Sequence, residues 1–370
     1  MPRSPFPHKT KYLTVLILQA VLYFLLLETS CRLFWVIKHG GPFLSDHGIL
    51  YAFYPQIKKL EKLDLSPDSD TLDILMIDGS VLHRDFSSTE KILLERLAYE
   101  TKRRVRVHNV SEPAHTSRDS YYKYKYLADR HFDLVILYDG INDVRANNAP
   151  PDIFQKDYSH FSRYKLINAY DRNREIVRYV TFPYTLYYGY VHALEHLRSG
   201  TFAPRHKPNP EWVQYGASLK TVDAFKDNFA SILDIAKSKG EAVLLMTFAS
   251  YVPDGYTGER FKGRALDYTL HLLPIEFWGA QENVVAGISA HNAVIRELAH
   301  KYDNVMLVDQ DGLIPKRGEY FNDICHLTHK GSEKFADNVF EVVRGKLTLK
   351  REPNGSRRVP GRYGSPLLGS

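Results

Sequence analysis

The chain of 370 residues has only two cysteines, Cys31 and Cys325, which excludes a disulfide-rich scaffold and a zinc site made of thiolates. Histidine pairs at ligand spacing are missing from the four helices predicted between the strands of the core, since none of these carries two histidines four residues apart. The sequence therefore predicts neither a metal nor a cofactor.

A basic folded surface is absent as well, although the formal net charge is +6. Three positive charges precede the first hydrophobic run and the segment from Arg344 onward adds a net six, so the body of the chain between them is net negative. Proteins that bind nucleic acid gather lysine and arginine on a folded face, where these side chains displace counterions from phosphates. We therefore expect no nucleic-acid partner.

One long hydrophobic run is present, from Tyr12 to Leu27, sixteen residues without a charge. As a helix it would cover about 24 Å of a hydrocarbon core about 30 Å thick. The apolar pattern resumes from Leu33 to Ile37, with Trp35 as an interfacial anchor. We predict a cytoplasmic basic tail over residues 1–11 and a single-pass signal anchor over residues 12–37 in the cytoplasmic membrane, with the rest of the chain extracytoplasmic.

Two alternatives to an uncleaved anchor stay open. A cleaved signal peptide fits the basic start and the apolar stretch, but the small residues of a cleavage site do not follow the run. The other alternative is a buried helix of a soluble protein. Beyond this segment we expect a juxtamembrane linker over residues 38–70 and, at the other end, a disordered tail over residues 346–370 that is rich in glycine, serine and proline.

Five short apolar runs, each typical of a strand buried on both faces, recur through the rest of the chain. They lie at residues 73–77, 105–108, 134–137, 242–247 and 305–308, with helical patterns at 88–101, 120–130, 221–239 and 290–302. This alternation predicts an α/β fold, a doubly wound, flavodoxin-like three-layer sandwich with a parallel central sheet. It would occupy residues 71–345, interrupted by a helical insertion over residues 147–205 whose many tyrosines either pack in a core or line a groove.

Residue types that carry chemistry follow the predicted strands, where ligands of such sheets bind. Ser80 comes after Gly79 at the end of the first strand, and a tight turn at this place can expose its hydroxyl. Asp323 and His326 precede the last predicted helix, and at three residues apart the carboxylate can orient an imidazole that deprotonates a serine. Taken singly, each of these motifs also fits an ordinary loop or helix cap.

The ordered set resembles the SGNH (GDSL) hydrolase superfamily: Gly-Ser at 79–80, Gly-x-Asn-Asp at 140–143 and Asp-x-x-His-Leu-Thr at 323–328. The resemblance covers roughly residues 73–344 apart from the insertion. It implies a catalytic triad of Ser80, Asp323 and His326. It also implies an oxyanion hole made by the backbone N–H groups of Ser80 and Ala114 and the side-chain amide of Asn142.

Two departures from the family pattern bear on that assignment. Asp-Gly-Ser stands at residues 78–80 in place of the usual Gly-Asp-Ser, and Ala114 stands where the family has a glycine. If the backbone has positive φ at this position, an alanine there is strained. We expect an oxyanion hole that still functions, because Ala114 retains its backbone N–H.

The resemblance implies a serine-dependent carboxylic-ester hydrolase or O-acyltransferase, since hydrolysis and transfer share all of these residues. By analogy with tethered enzymes of this arrangement, the substrate would be an extracytoplasmic acylated cell-envelope glycan. The alternative is a catalytically inactive SGNH-fold domain that binds glycans or scaffolds an envelope assembly. The altered first motif and Ala114 favour this alternative, whereas a binding domain has no need of the retained serine, aspartate and histidine.

Overall fold

The computed structural model describes residues 7–63, 65, 71–101, 103–197, 200–206 and 208–349. Of the tail predicted to be disordered, residues 350–370 lie outside the described residues. Residues 346–349 belong to the last helix, which continues to Leu349.

The centre of the protein is a sheet of five parallel strands in the order β2-β1-β3-β4-β5. The strands are β1 (Thr71–Asp78), β2 (Arg104–Asn109), β3 (Leu134–Tyr138), β4 (Ala242–Met246) and β5 (Val305–Val308). β3 is buried at every residue, as expected for a parallel strand covered on both faces. The predicted α/β fold with a parallel central sheet is confirmed.

Fourteen α-helices are assigned within the described residues. They are α1 (Pro7–His39), α2 (His47–Phe53), α3 (Ile57–Leu60), α4 (Thr89–Thr101), α5 (Ser117–Tyr126), α6 (Ile141–Val144), α7 (Ser162–Arg172), α8 (Arg174–Val177), α9 (Phe182–Leu197), α10 (Val222–Lys239), α11 (Gly258–Lys262), α12 (Gln281–Lys301), α13 (Gln310–Leu313) and α14 (His329–Leu349). Helices α5 and α10 pack against each other in the hydrophobic core on one face of the sheet, and α4 and α14 do so on the other.

Helix α5 shows how the sequence begins a helix beside the sheet. Thr116 is its N-cap, and the side chain of Thr116 accepts a hydrogen bond from the backbone N–H of Arg118. Asp119 accepts a hydrogen bond from the backbone N–H of Thr116, which completes a capping box. The start of α5 is thereby fixed directly after the turn that contains Ala114.

The segment predicted as a juxtamembrane linker is folded. Between residues 38 and 63 it forms α2 and α3, whose apolar side chains Ile49, Leu50, Phe53, Tyr54 and Ile57 are buried in the main core. This arrangement follows from the apolar pattern of α2, which a solvated spacer would not need. The segment therefore belongs to the globular body of the protein.

The tyrosine-rich insertion contains α7, α8 and α9, and its tyrosines divide into three groups, of which Tyr187 and Tyr188 form the partly buried one that packs against the core. Tyr158, Tyr164 and Tyr170 are buried in the core, as is Tyr184 on α9, and Tyr179 and Tyr190 are exposed. The buried group packs the insertion onto α1, α2 and α5, so most of these tyrosines serve packing.

Helix α1 is the one described helix that is long and apolar enough to cross a membrane. Between Lys11 and His39 it contains an 18-residue window of mean hydropathy 1.9, of which only 6% is buried inside the protein. An exposed apolar surface of this size is unusual for a helix in water. Length and composition fit a membrane anchor, and a signal sequence near the N-terminus would show the same features.

Candidate active site

Ser80, His326 and Asp323 form a hydrogen-bonded relay. Ser80 follows β1, and its Oγ lies 2.8 Å from Nε2 of His326. The other ring nitrogen of His326, Nδ1, lies 2.7 Å from Oδ2 of Asp323. With a proton on Nδ1 donated to the carboxylate, Nε2 is left to accept the hydroxyl proton of Ser80. The structure thus brings together all three residues named from the sequence.

Several hydrogen bonds hold Asp323 in place. Its Oδ1 accepts from the backbone N–H groups of Cys325 and His326 at 2.9 and 2.8 Å. Its Oδ2 accepts from the backbone N–H of Leu273 at 3.1 Å in addition to the imidazole. Because these donors satisfy both oxygens of a fully buried side chain, they stabilise the ionised carboxylate that a protonated His326 requires.

The imidazole of His326 packs against an aromatic ring, and the backbone of the same residue is held separately. The ring of Phe86, on the loop after β1, stacks on it at a centroid distance of 5.0 Å and an interplanar angle of 30°. The backbone carbonyl of His326 accepts from the N–H of Asn322 at 2.7 Å, next to a short antiparallel bridge between Phe321 and Leu327. The ring therefore has little freedom to leave the serine.

Asn142 lies on α6, directly beside the turn that carries the serine. Its Nδ2 donates to the backbone carbonyl of His115 at 2.9 Å, which leaves one of the two amide protons for another acceptor. Its Oδ1 accepts from Nε1 of Trp278 at 3.1 Å and from Nη2 of Arg145 at 3.4 Å. These two donors assign the amide orientation, with the nitrogen facing the Ser80 turn.

Gly79 is required by this close approach. A Cβ at Gly79 would lie 2.5 Å from Nδ2 of Asn142 and 3.1 Å from the carbonyl oxygen of His115. Contacts between heavy atoms are normally about 3.5 Å or longer. The glycine of the Asp-Gly-Ser motif therefore lets the amide of Asn142 reach the neighbourhood of the nucleophile.

Ala114 has a backbone φ of +62°, in the left-handed region. The strain anticipated from the sequence is thus present, and an L-residue other than glycine typically loses about 1–2 kcal/mol there. The carbonyl of the next residue, His115, accepts a hydrogen bond from the amide of Asn142, so this turn lies beside Asn142. The backbone keeps the glycine-like conformation despite the alanine.

Asp143, the second polar residue of the Gly-x-Asn-Asp motif, has a structural role. Its oxygens accept from the backbone N–H of Ser117 at 2.9 Å, from the hydroxyl of Ser117 at 2.6 Å and from the hydroxyl of Tyr158 at 2.8 Å. The carboxyl therefore joins α6 to the start of α5 and to the insertion. Burial raises its pKa to about 6.

A group of buried ionisable side chains lies behind the serine turn and was not found from the sequence. Asp78 accepts from the backbone N–H of Leu82 at 2.6 Å, and burial raises the pKa of its carboxyl to about 7. Lys123, fully buried, donates to the carbonyl of Val110 at 2.7 Å, and burial lowers its pKa to about 8. Burial also raises the pKa of Asp139 well above its ordinary value.

Only one group of described His, Cys, Asp and Glu side chains has ligand atoms close enough to hold a metal ion. It consists of Asp323, Cys325 and His326, whose ligand atoms lie within 4.8 Å of one another. The relay to Ser80 already uses both nitrogens of His326. The pair His192 and His196 on α9, four residues apart, was missed from the sequence and lies outside that group.

Two side chains that shape the site carry no sequence signal strong enough to name them, and a third carries a weak one. Trp278 reaches Asn142 from 136 residues away, and Phe86 lies in an irregular loop. Arg145 is the exception in part, because it follows Asn142 by three residues and a helical turn at α6 places both on one face.

No family model matches the sequence. No curated protein matches it either. Among solved structures, a GDSL-like lipase from Bacteroides thetaiotaomicron is 11% identical, with a TM-score of 0.44 over 80% of this chain and 98% of that one. An acetyl xylan esterase from Geobacillus stearothermophilus is 12% identical, with a TM-score of 0.42 over 74% and 94%. A lipase/acylhydrolase from Enterococcus faecalis is 14% identical, with a TM-score of 0.38 over 74% and 96%. These identities and TM-scores are too low to carry an argument about function, which rests on the side chains of this chain alone.

Proposed function

We propose that the protein is a serine-dependent carboxylic-ester hydrolase or O-acyltransferase with the triad Ser80, His326 and Asp323. The observation that carries this proposal is the continuous relay of 2.8 and 2.7 Å from the serine hydroxyl through the imidazole to the carboxylate. A binding domain gains nothing from a buried Asp-His pair aimed at a serine, because such a pair costs desolvation energy.

In the proposed reaction, Nε2 of His326 takes the proton of Ser80 while Oγ attacks the ester carbonyl. Asp323 stays ionised and stabilises the imidazolium. His326 then gives the proton to the leaving alcohol, and the acyl group remains on Ser80. Water or a second alcohol, deprotonated by the same imidazole, attacks the acyl-enzyme and releases the product.

The oxyanion of the tetrahedral intermediate would be held by the backbone N–H groups of Ser80 and Ala114 and by the second amide proton of Asn142. Loss of one such donor typically costs about 10²–10³ in kcat. The orientation of the amide by Trp278 and Arg145 supports the assignment of Asn142, because a flipped amide would present an oxygen to the oxyanion.

We further propose that α1 anchors the chain in the cytoplasmic membrane over residues 12–37 and that the catalytic domain is extracytoplasmic. Support comes from the exposed apolar surface of α1 and from the basic residues that precede it. An acylated cell-envelope glycan is the proposed substrate, and the carbohydrate part rests on the sequence resemblance alone.

The test is hydrolysis of p-nitrophenyl acetate by the full chain in detergent, compared with Ser80→Ala and His326→Ala. We expect both variants to fold and to lose activity by about three orders of magnitude or more. Labelling of Ser80 by a fluorophosphonate separates the two ways in which the wild type could be inactive on this ester. A labelled but inactive protein indicates a strict acyltransferase. An unlabelled and inactive protein refutes the proposal and favours the catalytically inactive binding domain.

A further inference from the structure

Arg145 is a buried cation without an acidic partner among the described residues. The residue is only 4% exposed, and the Nε of its side chain has no hydrogen-bond partner. Its Nη atoms donate to neutral oxygens, the carbonyl of Arg205 and Oδ1 of Asn142, and its guanidinium lies over the ring of Phe277 at 4.7 Å. A buried guanidinium in this state is costly, because neither water nor a carboxylate compensates its charge.

A second guanidinium lies close by and adds to the positive charge. Arg205, at the end of the insertion, also has a buried Nε without a partner. The carboxylate of Asp119 attracts its charge but forms no direct ion pair with it. Burial lowers the pKa of Arg145 to about 9, and the charge of Arg205 contributes to that shift. Two cations that disfavour each other's charge are stabilised by an anion that both can contact.

The carboxylate oxygens near these arginines already accept hydrogen bonds from other groups. Asp119 accepts from Tyr54, Arg163 and the backbone N–H of Thr116 at 3.0, 3.2 and 3.1 Å, and from the hydroxyl of Tyr164. The oxygens of Asp143, described above, are likewise occupied. Asp119 therefore compensates part of the charge of Arg205, whereas no described Asp or Glu does so for Arg145. The remaining positive charge is left for a group that comes from outside the chain.

We propose that Arg145 and Arg205 form a subsite for an anionic group, a carboxylate or a phosphate, on the substrate of the proposed esterase. Since Arg145 contacts the proposed oxyanion donor Asn142, this group lies close to the ester that Ser80 attacks. Guanidinium groups suit such anions because their N–H donors match two oxygens at once. The subsite deepens the proposed function and rests on it only for the position of the ester.

Two matched esters test this proposal with the full chain in detergent: 4-acetoxybenzoate, which is anionic, and its neutral methyl ester. The wild type should have a higher kcat/KM for the anionic ester, and Arg205→Gln should reduce that ratio by roughly tenfold to a hundredfold. Arg172→Gln, which removes an exposed guanidinium of the same insertion, is the control and should leave the ratio as it is. Equal ratios in the wild type and Arg205→Gln would overturn the subsite.

Ligand binding separates failure of the subsite from failure of the proposed reaction. In Ser80→Ala, succinate or inorganic phosphate should raise the Tm, and Arg205→Gln should abolish the rise. A Tm rise in a protein that neither hydrolyses esters nor reacts with fluorophosphonate supports the subsite and refutes only the reaction. The anion that gives the larger rise at equal concentration identifies the group as carboxylate or phosphate.

A different observation carries a second inference, about the corner between α8 and α9. Glu28 on α1 accepts from the backbone N–H groups of Thr181 and Phe182 at 2.8 and 3.0 Å, and these are the first donors of α9. Arg32 pairs with Glu28 at 2.6 Å and donates to the carbonyls of Arg178 and Tyr179 at 3.2 and 2.9 Å. One buried ion pair of α1 thus satisfies two backbone N–H groups and two backbone carbonyls of the corner.

At the same corner, large apolar side chains are exposed next to those of Glu175 and Arg178. Ile176 and Tyr179 are 63% and 72% exposed, and α9 continues with an exposed stripe at helical spacing that contains no charge. The stripe consists of Pro183, Leu186, Tyr190, Ala193 and Leu197. Backbone outside a regular helix is tolerated at membrane depth only where protein groups satisfy it, and the corner meets this condition.

The corner also lies at the depth of the proposed anchor. Phe182 packs edge-on against Phe24 at 5.6 Å, and Thr185 accepts from Nε1 of Trp35 at 2.8 Å. Over this stretch the other side of α1 exposes apolar residues as far as Ile37, which is 81% exposed. We infer that the corner and the first turns of α9 are inserted into the outer leaflet beside α1, which rests on the anchoring proposed above.

Depth-dependent quenching tests this second inference in phosphatidylcholine liposomes. A fluorophore is attached to the full chain at Leu186→Cys, at Leu18→Cys on α1 and at Tyr99→Cys on α4, while both native cysteines are buried. A lipid carrying a quencher in its acyl chain should quench the labels at residues 18 and 186 but not at 99. Quenching at 18 without quenching at 186 would overturn the inserted corner alone. Absence of quenching at 18 would overturn the anchor together with it.

Discussion

Gly79→Ala is the substitution whose effect follows most directly from the geometry. The added Cβ would lie 2.5 Å from Nδ2 of Asn142, so the amide or the serine turn must move by about 1 Å to restore a normal contact. The added atom meets that side chain and the carbonyl of His115, and the φ of Gly79 is not in the left-handed region. The expected damage is therefore to the oxyanion site and not to the fold.

We expect kcat for p-nitrophenyl acetate to fall by roughly a hundredfold, the effect of losing one oxyanion donor. Asn142→Ala should have a similar effect. Combining the two should cost little more than Asn142→Ala alone, because the methyl group added at position 79 then has no amide to displace. Gly189→Ala, where a Cβ would meet nothing within 4 Å, is the matched control.

The assay is steady-state kinetics of the wild type, the two single variants, the double variant and the control, with Tm recorded for each. Near-wild-type activity of Gly79→Ala would refute the assigned contact between residue 79 and the amide. Fully additive losses in the double variant would show that Gly79→Ala does not act by displacing the amide of Asn142, which would refute the reasoning from the close approach.

Three further substitutions test the strain, the buried charge and the amide orientation. Ala114→Gly should raise stability by up to about 1 kcal/mol in thermal or urea unfolding, because relief of strain at φ +62° outweighs the greater freedom of glycine in the unfolded chain. Asp78→Asn should flatten the pH dependence of stability. In the folded wild type the pKa of Asp78 is about 7, above the ordinary 3.8. The contribution of this carboxyl to stability is therefore greatest below about pH 4, and up to a few kcal/mol of it is lost as the pH rises to 7. Trp278→Phe should lower kcat by about tenfold with a smaller change in KM, since Asn142 loses a donor that fixes its amide.

Each of these has a control in the same chain. Ala193→Gly, in the exposed part of α9, should lose about 1 kcal/mol where Ala114→Gly gains. Asp129→Asn changes a 72% exposed side chain and should leave the pH profile unaltered. Trp212→Phe should leave kcat unchanged. Destabilisation by Ala114→Gly, parallel pH profiles for Asp78→Asn and the wild type, or an unchanged kcat in Trp278→Phe would each contradict the corresponding reasoning.

The sheet and the proximity of Ser80, His326 and Asp323 could be predicted because their signals are local. A parallel strand buried on both faces is a short apolar run, and the order of such runs places Ser80 at the carboxyl end of β1. Asp323 and His326 are three residues apart, so one turn brings them together. That both segments lie at the edge of the sheet where the parallel strands end follows from the fold class alone.

The supporting residues could not be predicted because they depend on contacts between distant segments. Trp278 donates a hydrogen bond to Asn142 across 136 residues, and nothing in the neighbouring sequence indicates that its indole N–H has this partner. The charge of Lys123 is misleading in the sequence, since an amphipathic helix normally exposes such a residue, but here it is fully buried beside Asp78. The folded state of residues 38–63 was missed because the sequence does not show which surface α2 and α3 cover.

A chain of hydrogen bonds connects the insertion to Asn142, the proposed oxyanion donor. Arg163 on α7 donates to the carbonyl of Phe53 on α2 at 2.7 Å and lies 3.3 Å from Nε2 of His115. The carbonyl of His115 in turn accepts the amide of Asn142. The strained turn at Ala114 is therefore held between α7 and α6, and its conformation depends on the insertion and on α2 being in place. Helix α2, the insertion and Asn142 form one structural unit, so an alanine can occupy a glycine-like position without the turn relaxing.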